Sequence, residues 1–196
     1  MSTDSVTCQD GDVKHVFVSG NLGLDLLGTL KWRRSEEEEL LEDPSDLDAW
    51  ITEAGVLTVS PASTAFDLKQ AMTLREAIYA LVHSRLEGSA WSPSALDTLN
   101  RWNGHDGPTT RLTPDGVERI GGTASALAVV ARAATDVLSH TEPGVLKECA
   151  NERCTRLFID ESRGSRRSWC GMAECGNRAK AAAYRARKKA GTAASS

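Results

Sequence analysis

The sequence predicts a mainly α protein with short β hairpins, an α+β chain in which a helical amino-terminal domain precedes a small domain made of a hairpin and a helix. Three observations carry this. Apolar residues recur at helical spacing over residues 63–87, short β-prone runs are bounded by turn residues, and four cysteines gather between positions 149 and 175. The chain has 196 residues, 40% apolar and 26% charged. That balance suits one folded domain with a small appendage and argues against wholesale disorder. No apolar run approaches the roughly 18 residues of a membrane helix. The start MSTDSVTCQDGDVKHV lacks the basic and then apolar order of a signal peptide. A cytoplasmic protein with no membrane partner is expected.

The elements follow in order. Residues 1–14 are polar and aperiodic and read as a loose end. His15 to Val18 reads as a short strand. Leu22, Leu26, Leu27 and Leu30 predict a helix over 22–32. Glu36 to Glu39 reads as a solvated loop or helix start. Ser45, with Asp48 three residues on, is the expected cap of a short helix through Leu47, Trp50 and Ile51 that Gly55 stops. In the long helix Phe66, Leu68, Met72, Leu74, Ile78, Leu81, Val82 and Leu86 line one broad face, with Arg75 and Glu76 on the other side and Gly88 at the end. Ser92-Pro93 opens a helix through Leu96, Leu99 and Trp102. Thr109–Thr113, the turn Pro114-Asp115-Gly116 and Val117–Ile120 form a hairpin. Residues 123–139 predict a buried helix, and Thr141 to Gly144 a hinge.

Beyond the hinge the chemistry changes. Residues 147–196 hold 12 basic and 5 acidic side chains, and residues 1–146 hold 11 basic and 22 acidic. An acidic body with a basic end is expected where one part meets a polyanion. Of five cysteines, Cys8 stands alone. The others are spaced Cys149-x4-Cys154, then fifteen residues, then Cys170-x4-Cys175. Two close pairs joined by a loop are the pattern of a structural zinc site, since each pair lets a short turn offer two sulfurs to one ion. With all four ligands cysteine, no position is left for a catalytic water. The segment 155–160 reads as a strand that returns through 166–169. After Cys175 a helix runs to about residue 190. On it Arg178, Arg185 and Lys189 fall within about 20° of one line, and Lys180 and Arg187 form a neighbouring stripe. With Arg166 and Arg167 on the hairpin, these residues are expected to form one basic surface for double-stranded DNA.

Cys149-x4-Cys154-x-Arg156-Leu157-Phe158-Ile159-Asp160, Ser162-Arg163, Arg166-Arg167-Ser168-Trp169-Cys170 and Cys175-Gly176-Asn177-Arg178 resemble the CGNR zinc finger. The run from Ala179 to Arg187 is similar to that family as well. Leu24 to Thr29, Asp46 to Trp50 and Leu74 to Ala77 resemble the ABATE domain, with Gly28 where that domain usually has Asn. The resemblance implies an ABATE-like domain over 1–140, a zinc finger over 145–190 and a disordered tail over 191–196. It further implies a bacterial transcription regulator whose finger binds DNA through one structural zinc ion and whose body senses an effector or dimerises.

A small-molecule effector and a homodimer are thus expected partners. The alternative is a zinc-module adaptor that binds RNA or protein. An enzyme is not expected, because no nucleophile elbow, phosphate-binding Gly loop or H-E-x-x-H is present. His15, His83, His105 and His140 are scattered. Asp25 and Arg75 could share a pocket, and Trp32, Trp50, Trp91 and Trp102 could line an apolar one in the body.

Overall fold

The structure is a computed structural model that describes residues 15–140, 142, 144–171, 175–177, 180, 181, 184 and 185. The loose end expected over 1–14, much of the expected hinge and the expected tail over 191–196 lie outside the described residues. The elements are α1 (Leu22–Leu27), β1 (Leu30–Lys31), β2 (Glu38–Glu39), α2 (Pro44–Glu53), α3 (Ala65–Glu87), α4 (Pro93–Asn103), β3 (Thr109–Thr113), β4 (Gly116–Ile120), α5 (Thr123–His140), β5 (Leu146–Glu148) and β6 (Leu157–Ile159). The strands form three antiparallel pairs, β1 with β2, β3 with β4 and β5 with β6.

Helix α3 is the axis of the body. It starts at a reciprocal cap, in which the Thr64 hydroxyl accepts from Asp67 N and the Asp67 carboxylate accepts from Thr64 N, and it ends at Gly88 in the left-handed region. It packs against α1, α2, α4 and α5. Leu74, Ile78, Leu81 and Val82 are fully buried, whereas Phe66, expected on this face, is 68% exposed in the first turn. Helix α5 carries Ala126, Leu127, Val130, Ala131 and Ala134 into the same core. Its small side chains let α1 approach closely: a Cβ on Gly23 would lie 2.7 Å from that of Ala134. The cap Asn21 ties the two helices, since its Nδ2 donates to Ala133 O at 3.0 Å while its Oδ1 accepts from Gly23 N at 2.8 Å.

Three expectations change. Helix α1 ends at Leu27, not residue 32, because Gly28 N and Thr29 N bond back to Asp25 O and Leu26 O and the chain turns into β1. The cap of α2 is Asp43, two residues before Ser45, with Asp46 completing the box and Pro44 in the first turn. The third concerns charge. Arg75, expected on the solvent side of α3, is 3% exposed.

Its guanidinium grips Glu39 with two bonds of 2.7 and 2.6 Å, Thr29 Oγ1 at 3.0 Å and Glu76 at 2.9 Å. Glu76 is held in turn by Arg33 through bonds of 2.6 and 3.0 Å. Burial alone would ease the proton off Arg75, but the Glu39 and Glu76 carboxylates outweigh it and raise its pKa. This fork explains the β1–β2 pair: the acidic run is not a free loop but delivers Glu39, opposite Leu30, to a buried cation. The tryptophans do not share one pocket. Trp50 and Trp102 belong to the core and Trp91 is 37% exposed. Asp25 and Arg75 also have separate partners, since Asp25 accepts from Ser19 N at 3.0 Å.

Truncating Arg75 to Ala leaves Glu39 without its cation and should cost about 3 kcal/mol. The double change Arg75→Met with Glu39→Leu should cost less. Urea unfolding of the three proteins checks the order.

Candidate metal centre

The carboxy-terminal module is built on β5 and β6, paired Leu146 to Ile159, Lys147 to Phe158 and Glu148 to Leu157. This corrects the expected pairing of 155–160 with 166–169. The returning segment is held by single bonds instead: Ala150 N to Ser168 O at 2.9 Å and Arg167 N to Asp160 Oδ2 at 2.8 Å. Asp160 is the organiser. It is 1% exposed and also accepts from Lys147 Nζ at 2.7 Å and Ser162 N at 2.9 Å. Burial would raise its carboxyl, but the Lys147 ammonium and the Ser162 and Arg167 donors overcome this and hold it far below the usual carboxylate range.

Alternation along β6 divides two cores. Leu157 and Ile159 belong with the body's apolar cluster, and Phe158 between them packs on the cysteines with Trp169. Behind Phe158 the sulfurs of Cys149, Cys154, Cys170 and Cys175 all lie within 4.8 Å of one another. All four residues are buried. The Cys154 and Cys170 sulfurs are 3.7 Å apart. Zinc–sulfur bonds of about 2.3 Å in a tetrahedron put ligand sulfurs about 3.8 Å apart, so the cluster has the size of one zinc ion.

Short turns aim the sulfurs. Cys154 N bonds Asn151 O at 2.7 Å within the first pair, and Gly176 N bonds Gly171 O at 2.9 Å beside the second. N–H groups point at the cluster, among them Cys170 N toward Cys149 Sγ at 3.5 Å and Asn151 Nδ2 toward Cys175 Sγ at 3.6 Å. Thiols this close titrate as a group. Hydrogen bonds from Cys154 and then Cys170 pull the Cys149 pKa down, and the same bond to Cys149 pushes Cys154 up to about 12. A divalent cation resolves the conflict by taking all four as thiolates. The donor set fits one structural zinc ion.

The basic residues fare differently. Arg166 is exposed, as are Lys180 and Arg185. The side chains of Arg178, Arg187 and Lys189 lie outside the described residues. The expectation that Arg167 belongs to an open basic surface is corrected. Its guanidinium stacks on Phe158 with 4.4 Å to the ring centroid and donates to the carbonyls of Trp169, Cys170 and Val18. Five residues apart on a helix, Lys180 and Arg185 point about 140° from each other.

Sequence reasoning missed Arg156, which is 7% exposed. Its Nη1 donates to Val16 O at 2.7 Å, and a Cβ on Gly28 would lie 3.2 Å from that nitrogen. Gly28 thus leaves the room through which a finger arginine reaches into the body. The signal was present in the sequence as a glycine where the ABATE pattern has Asn, but its partner is distant in sequence. Residues 15–18, expected as a strand, join no sheet; they form an extended strap whose carbonyls accept from Arg156 and Arg167. Ile159 N to Ser19 O at 2.7 Å, Arg33 N to Thr155 Oγ1 at 3.2 Å and the Arg34–Glu148 ion pair at 2.7 Å complete the dock. Beside it an open groove of about 950 Å³ is lined by Trp32, Asn151, Arg153, Trp169 and Arg185.

A family model for ABATE, described as "Putative stress-induced transcription regulator", matches residues 20–141. The chain belongs to the ABATE family. A second model, the CGNR zinc finger, matches residues 146–188 and includes all four cysteines of the cluster. No curated protein matches the chain. This ABATE protein is therefore a zinc-binding member of a family described as regulatory. Among the described residues no helix is long and apolar enough to cross a membrane.

Cys154→Ser, or a strong chelator, should release the metal and loosen the finger while α1 to α5 stay helical. Zinc content measured with far-ultraviolet dichroism checks this. Arg167→Ala should weaken zinc retention about ten-fold, the usual size for a group that positions a ligand. Arg167→Lys should not restore it, because one ammonium cannot span three carbonyls. Competition with a chromogenic chelator reads both.

Proposed function

We propose that this ABATE protein regulates transcription by binding double-stranded DNA with its zinc finger, acting by binding and not by catalysis. One observation carries the reading. Once the arginines spent inside the protein are set aside, Arg166 on the loop and Lys180 and Arg185 beyond Cys175 are exposed on the metal-organised module. Cations on a scaffold fixed by zinc suit a phosphate backbone, where each displaces a counterion. The Arg178, Arg185 and Lys189 stripe faces the duplex in this reading, with Arg166 on a flanking phosphate. The groove between Trp32 and Trp169 is where a small-molecule effector would touch body and finger together.

Tyr184, 63% exposed beside Arg185, supports a second reading. An aromatic next to a cation stacks bases of single-stranded RNA, which is how an RNA-binding adaptor would work.

Fluorescence anisotropy with random duplex DNA, single-stranded RNA and increasing salt separates them. The first reading expects duplex to bind the tighter and affinity to fall steeply with salt. Arg185→Ala should weaken duplex binding several-fold and lower the salt slope by about one, with zinc content unchanged. Tight RNA binding lost in Tyr184→Ala would favour the second. Binding to neither would remove both.

A further inference from the structure

The β3–β4 hairpin stands apart from the core. Leu112 is 82% exposed, its cross-strand partner Val117 44% and Ile120 49%. A two-stranded ribbon with both faces in water is marginal on its own; more strands with an apolar face are what make such a sheet stable. One edge of this ribbon is already occupied. Thr58 N donates to Arg119 O at 2.9 Å, and Arg119 N donates to Thr58 Oγ1 at 3.1 Å.

Those two bonds fix the pattern on the opposite edge. Both main-chain groups of Arg119 point away from β3, so its pair with Thr110 is one that exchanges no main-chain bonds across the hairpin. The N–H and C=O of Thr110 must then point outward from β3, and by the two-residue period those of Leu112 do so too. Among the described residues no main-chain bond reaches that edge. The strand itself, Thr109–Thr113, also carries no proline and no lysine to protect that edge.

We propose that the outer edge of β3 is a homodimer interface, on which β3 of a second copy pairs antiparallel about a two-fold axis at Arg111. This register uses the whole strand. It sets Thr109 opposite Thr113, and Thr110 opposite Leu112, of the other copy. Each copy's Thr110 and Leu112 then exchange main-chain bonds with the other's. The result is a four-stranded sheet with Leu112 and Val117 of both copies on one face.

Charge favours an identical partner. Arg111 leans back to Glu118 on β4 with bonds of 3.0 and 2.6 Å. The arm therefore presents no net charge at its centre to select a nucleic acid or an acidic peptide. Across the axis, two arginines would each be neutralised by their own glutamate. A closed two-fold arrangement also leaves neither copy with an open β3 edge.

Sedimentation of the zinc-loaded full chain tests this, independently of nucleic acid. The native protein should be a dimer at tens of micromolar. Leu112→Lys should be a monomer with unchanged zinc content and helicity. Arg111→Cys should link to its mate on mild oxidation, since residue 111 faces itself, whereas Glu118→Cys should not. A monomeric native protein, or a dimer that persists in Leu112→Lys, would overturn the proposal. Cross-linking from position 118 and not 111 would overturn the register.

Discussion

Four thiolates that must share one cation set the terms for the carboxy-terminal quarter of this protein. Sulfurs within 4.8 Å of one another cannot all be ionised unless a divalent ion sits among them. The apolar material around them is slight, essentially Phe158 and Trp169. A module with so small a core folds only if something other than burial contributes, and metal binding is that contribution. Phe158 has a double role in consequence. It walls the sulfurs from one side and offers its ring to Arg167 on another, so the packing that excludes water from the metal also seats the cation that docks the finger.

That docking is unusual in what it spends. Cationic side chains of a module proposed to bind nucleic acid are expected in solvent, yet Arg156 and Arg167 are committed to main-chain carbonyls at Val16 and Val18. A guanidinium suits this because its planar fork can satisfy several carbonyls at once without needing a counter-charge. Leu146 and Leu157 meanwhile join the body's apolar cluster. Separate family models cover body and finger, but one continuous core and one strap join them. The finger's position is therefore a property of the body: moving Ser19, which holds Asp25 with its N–H and accepts Ile159 with its carbonyl, moves β6 and with it the wall of the metal site.

Much of this was legible in the sequence, and the larger failures share a cause. Elements written in local chemistry were found where expected: α3 between Thr64 and Gly88, α4 after Ser92-Pro93, the hairpin around Pro114-Asp115, and the cysteine cluster from spacing alone. The α2 cap and the end of α1 failed on local detail, but the other failures depended on partners distant in sequence. Arg75 read as a surface residue because nothing near it on α3 reveals that Glu39 will be brought beneath it. The finger's hairpin was paired with the wrong strand because β5 is only three residues long and lies before the first cysteine, where no turn signal points to it. Arg167 looked like its neighbour Arg166, although alternation sends one to solvent and the other onto Phe158.

The same residues bear on how charge should be read. The sequence assigns 12 basic and 5 acidic residues to positions 147–196. Counting charges is not counting contacts. Lys147 belongs to Asp160, Arg156 to Val16, and Arg167 to Val18 and the carbonyls beside Cys170. Arg156 and Arg167, seated on neutral carbonyls, still contribute to the long-range field that would draw a polyanion in, whereas Asp160 cancels Lys147 at a distance. None of the three can displace a counterion from a phosphate without first breaking the finger's own structure. For the proposed DNA complex, association rate and salt slope should therefore report different numbers of cations, the first following the whole module's charge and the second only the exposed set to which Arg166, Lys180 and Arg185 belong.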